Sequence, residues 1–92
     1  MNLTKQTMID NIRTKHDWLN AALLRLNTMS ANNTLTLNEQ ERYDLNYWCG
    51  SIRVGRNLTG THLDSAVALA TNATCTTALW DHVVSNNKGG TQ

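Results

Sequence analysis

"LNEQERYDLNYWCGSIRVG", residues 37–55, decides the fold. Leu45, Trp48, Cys49 and Ile52 recur at i, i+3, i+4 and i+7, the spacing of one apolar helix face. Tyr43, Tyr47, Gly50 and Val54 recur at i, i+4, i+7 and i+11, on the opposite side of the same helix. The segment therefore predicts a helix from about Leu37 to about Val54. "TLNE" (36–39) reads as its capping box, with Thr36 and Glu39 each bonding the other's backbone N–H. Gly55 is placed to end it in a left-handed cap, and Arg53 sits in the last turn, where the helix dipole favours a cation. A helix of a small bundle needs only one buried face. Two apolar faces leave two readings open: a central helix sandwiched between neighbours, or a second surface that meets a partner or another copy.

The flanking sequence has the same character. Proline is absent, and the five glycines are confined to positions 50, 55, 60, 89 and 90, so helices with short breaks are expected. From about Thr4 to about Met29, Met8, Ile9, Ile12, Leu19, Ala22, Leu23 and Leu26 form one stripe, with Trp18 at its edge. "SANNT" (30–34) reads as a polar linker. "THLD" (61–64) reads as a second capping box, opening a helix from about His62 to about Ser85. The stripe of that helix is Ala66, Leu69, Ala70, Ala73, Thr77, Trp80, Val83 and Val84. The expectation is an all-α fold of three helices running up, down and up, with self-association. Residues 1–85 would form one domain and 86–92 a flexible tail.

Composition narrows the function. Ninety-two residues make one domain with a modest core, and such chains often gain stability from disulfides, metals or oligomerisation. Charged residues are 16% of the chain, and polarity comes instead from twelve Asn and thirteen Thr. A net charge of +1 argues against a strongly basic nucleic-acid binder and against an acidic DNA mimic. The polar N-terminus "MNLTKQTMIDNIR" lacks the apolar region of a signal peptide, and no apolar run is long enough to span a membrane. A cytoplasmic protein with Cys49 and Cys75 reduced is expected. The N-x-T sequons at Asn2, Asn32, Asn57 and Asn72 then follow from composition alone.

Each chemical constellation has a plainer counterpart. Arg42, Arg53 and Arg56 would suit phosphate, with Tyr43 and Tyr47 stacking on bases. Helix capping and surface charge explain the same residues without a nucleic acid. His16, His62, His82, Cys49 and Cys75 lack the close ligand pairs of a zinc site, so buried packing thiols and surface histidines are expected, with no metal or other cofactor. His16–Asp17 and Asp81–His82 are sequence neighbours that point about 100° apart on a helix and make no acid–base pair. "GRNLTG" (55–60) lacks the Lys-Ser/Thr ending of a phosphate-binding loop. The reading is non-enzymatic: a regulatory protein that works by protein–protein contact. Trp18, Tyr43, Tyr47, Arg53 and Val54 are its candidate contact residues.

"KQTMIDNIRTKHDWLNAALLRLN" (5–27), and secondarily "LATNATCTTALW" (69–80), resemble small cytoplasmic accessory proteins of tailed phages. Among these, the lysis-inhibition accessory proteins of T-even-like phages are the nearest in character. The resemblance implies a small protein in the host cytoplasm that binds another protein and tunes lysis timing. A phage inhibitor of a host defence system is the alternative it leaves open.

Overall fold

The computed structural model describes residues 3–90, with side chains as far as residue 85. It is all-α, built from five helices: α1 (Lys5–Thr14), α2 (His16–Ala31), α3 (Glu39–Arg53), α4 (Gly60–Ala70) and α5 (Ala73–Gly90). No strand occurs among the described residues. Two of the three expected helices are thus each divided in two, and the simple up-down-up arrangement gives way to a five-helix one.

The first division falls at Lys15, which takes an extended conformation (φ −126°, ψ 121°) between α1 and α2. A continuous helix would set Lys15 within the apolar stripe, three residues after Ile12 and four before Leu19. Burying its ammonium without a partner is costly. The break carries Lys15 to the surface while Met8, Ile12, Leu19, Ala22, Leu23 and Leu26 all stay buried. The Thr14 hydroxyl donates to the Asp10 carbonyl at 2.8 Å, a back-bond that weakens the last turn of α1.

The second division falls at Thr71–Asn72. Asn72 Oδ1 accepts the Cys75 backbone N–H at 2.7 Å and starts α5 as an N-cap. The new start changes the phase of the buried face. Ala66, Leu69 and Ala70 are buried as expected, but beyond the break Cys75, Thr76 and Leu79 enter the core. Ala73 and Thr77 face solvent instead, while Trp80 and Val83 are half-buried. The backbone of α5 runs to Gly90, past Ser85 where the periodicity ends the helix. Residues 91 and 92 of the expected tail lie outside the described residues.

The caps also differ in detail. The capping box of α3 is Asn38 with Glu41, not Thr36 with Glu39: Glu41 N–H donates to Asn38 Oδ1 at 2.8 Å and Asn38 N–H to Glu41 Oε1 at 3.0 Å. The reason lies just upstream. Leu35 and Leu37 are both buried, which an extended segment with its two-residue period achieves and a helix starting at Thr36 would not. Likewise α4 begins at Gly60, so Thr61 lies inside the helix rather than capping it, and its N-cap Thr59 makes no side-chain bond.

The exits of α2 and α3 share one form. Gly55 has φ 84°; its N–H donates to the Ile52 carbonyl, and the Arg56 N–H to that of Ser51, both at 3.0 Å. Asn33, with φ 62°, repeats the pattern after α2, through Asn33 N–H to Ser30 and Thr34 N–H to Met29. Both are Schellman caps, and Asn and Gly are the residues that tolerate the left-handed position.

Helix α2 holds the centre and packs against each of the other four helices, whereas α3 packs on α2 and α4. The buried side chains of all five helices, with Leu35, Leu37 and Leu58 from the connections, form one continuous core. Because α2 rather than α3 is the sandwiched element, α3 keeps one whole side open to solvent.

Candidate interaction surface

The inner face of α3 is anchored by Leu45, Trp48 and Cys49, all buried, with Ile52 half-buried beside them. At 100° per residue, the centre of the Tyr43–Tyr47–Gly50–Val54 stripe lies about 180° from that face. The structure leaves this stripe uncovered: Tyr43 is 70% exposed, Tyr47 56% and Val54 69%. They are three of the four large hydrophobic residues that stand exposed among the described residues, the fourth being Val84 on α5. The stripe is therefore not a second core face. Arg42 and Arg53, eleven residues apart and so on nearly the same side of the helix, border one edge of it. Asp44 borders the other, its Oδ1 accepting from Gln40 Nε2 at 2.9 Å.

Helix α4 supplies the neighbouring wall. The His62 ring lies 5.4 Å from the Tyr47 ring, tilted 43° to it. Together with Tyr43, Asp44 and Trp48, they line an open groove of about 400 Å³ between α3 and α4. His62 was not legible as part of this surface, because the pairing depends on how α4 crosses α3. Beyond the C-cap, Asn20 Nδ2 on α2 donates to Asn57 Oδ1 at 3.0 Å and ties the following loop to the central helix.

Four of the five candidate contact residues thus meet on one face: Tyr43, Tyr47, Arg53 and Val54. Trp18 does not join them. It is half-buried on α2 and lines a separate groove of about 270 Å³ with Met8, Ile12 and Ala22 on one side and Leu79 and Val83 on the other. Arg56 is exposed just past the helix end.

The thiols occupy the interior. Cys49 Sγ donates to the Leu23 carbonyl at 3.4 Å, linking α3 to α2. Burial raises the Cys49 pKa against a smaller opposing pull from Arg53. Burial, reinforced by the Glu41 carboxylate and partly offset by a hydrogen bond with Asn72, pushes Cys75 up to about 11. Both are free, buried thiols, and a raised pKa keeps each in the neutral form at physiological pH. Among the described residues, no three His, Cys, Asp or Glu side chains gather in a way that would hold a metal ion. None of the described helices is long and apolar enough to cross a membrane.

Comparison with protein-family models, with curated proteins and with solved structures returned no match.

Proposed function

We propose that the chain is a non-enzymatic regulatory protein that acts by presenting the outer face of α3 to another protein. One observation carries this reading: three of the four exposed large hydrophobic residues lie on one side of one helix, directly opposite its core anchor. Tyrosine rings combine apolar area with a polar tip, the combination that interface cores favour. The arginine edge suits the polar rim of such a contact. A cytoplasmic setting accords with the two unpaired thiols. The resemblance of residues 5–27 to lysis-inhibition accessory proteins is the support for a specific role in tuning lysis timing, and a phage inhibitor of a host defence system would use the same kind of surface.

The test is to compare Tyr47→Ala and Val54→Asp with the parent chain. Both side chains are exposed, so helical content should stay unchanged by circular dichroism. Loss of the bound protein, or of self-association, with unchanged helicity is the expected result. Unchanged mass and unchanged partner binding in both variants would refute the reading. The position of Arg42 and Arg53 along one edge favours a second reading, a nucleic-acid contact. That reading predicts binding that weakens steeply with salt and is lost on Arg→Ala exchange.

A further inference from the structure

The groove between α3 and α4 gathers the aromatic side chains of the chain. There are three Trp, two Tyr and no Phe in the sequence, and Tyr43, Tyr47 and Trp48 line this one groove, with the His62 ring beside Tyr47. An aromatic cluster that served packing alone would be buried. Trp48 is buried, but both tyrosines are exposed and border about 400 Å³ of open space. The face of an aromatic ring carries negative charge. A cation set against such faces is attracted to each of them, and lysine and arginine side chains are bound by proteins in this way.

The fixed charge of the groove has the same sign. Asp44 is the one residue lining it that carries a full charge among Asp, Glu, Lys and Arg. It is half-buried, and its Oδ1 accepts from the Gln40 amide at 2.9 Å, a neutral donor that leaves the charge uncompensated. Past Asp44 and Trp48 the groove continues toward Leu69 and Asn72, where Glu41 lines it. Glu41 Oε1 accepts the Asn38 N–H, which orders the carboxylate without neutralising it. Arg42 and Arg53 do not oppose this field closely, since at 100° per residue they stand about 160–180° round α3 from Asp44. One flank of α3 is therefore cationic, and the other is anionic and aromatic.

We infer that the groove between α3 and α4 receives a basic side chain, a lysine or arginine from a basic segment of the partner protein. The cationic head lies against the Tyr43 and Tyr47 rings, within the field of the Asp44 carboxylate. The Thr61 and Ser65 hydroxyls on the α4 wall are available to accept from its N–H groups. The inference rests on reading the outer face of α3 as the contact surface, and adds the chemistry of what that surface meets.

Amide NMR of the isotope-labelled chain, titrated with a short capped peptide of alternating lysine and glycine, gives the test. A glutamate–glycine peptide of equal length is the control. Shifts should concentrate at residues 43–48 and 61–65, with an affinity on the order of 1 mM for so small a probe, and the glutamate peptide should cause none there. Tyr47→Ala should weaken the lysine peptide at least ~5-fold, and Tyr47→Phe, which keeps the ring, by less than about twofold. Asp44→Asn should weaken it by about threefold. Val54→Asp, outside the groove, should not weaken it. No shift with the lysine peptide up to about 10 mM overturns the inference. So do equal shifts with the glutamate peptide, or binding that either Tyr47→Ala or Asp44→Asn leaves unchanged. The contact-surface reading is tested apart from this one: a partner lost on Val54→Asp but retained on Asp44→Asn keeps the surface and removes the basic guest.

Discussion

Cys75 shows how far a single residue's environment governs its chemistry. Its thiol is buried at the first turn of α5, with the Glu41 carboxylate close enough to disfavour a second negative charge. The folded pKa of about 11 stands above the ordinary value of 9.0. The folded state therefore holds a proton that the unfolded state has already released in this interval, and stability must fall as pH rises through it. The contribution is fully present below about pH 9 and lost by about pH 11. Thermal unfolding followed between pH 8 and 11 should show this alkaline decline, and Cys75→Ala should flatten it. Reaction of the folded protein with a thiol reagent at pH 7.5 should be slow at both cysteines, and speed up on unfolding. That Cys49 faces the core was legible from its spacing with Leu45 and Trp48. Cys75 was also expected as a buried packing thiol, but not from periodicity, because a continuous stripe through Ala66, Leu69, Ala70 and Ala73 points it elsewhere.

At the scale of the elements, the two hidden breaks explain most of what periodicity missed. Neither is marked by glycine or proline. The break at Lys15 resolves a conflict that a stripe count does not register, a lysine lying in phase with leucines. The break at Asn72 is announced only by an asparagine, in a chain where asparagine is everywhere. The exit of α3 was legible, since Gly55 is the residue a left-handed cap selects. Its entry was displaced by two residues, because "TLNE" and "NEQE" both satisfy the capping pattern. Burial of Leu35 and Leu37 decided between them. Asn38→Ala should therefore cost about 1 kcal/mol of stability, and Thr36→Ala much less, in denaturant unfolding. A larger loss at Thr36 would contradict the assignment of the cap.

For the whole molecule, the decisive fact is which helix occupies the centre. The sequence left a sandwiched α3 and an open α3 both available, because a tyrosine stripe serves either. Packing places α2 in the middle, with Leu19, Leu23 and Leu26 almost wholly removed from solvent, and that choice exposes Tyr43, Tyr47 and Val54 together. The most direct measurement of the central claim is site-specific photo-cross-linking in cells that express the chain. A photoreactive side chain would replace Tyr47 in one variant and Asp81, on the exposed side of α5, in another. The account predicts a discrete adduct, with a second copy or another protein, from position 47 and none above background from position 81. Equal labelling from both positions, or none from 47, would contradict it.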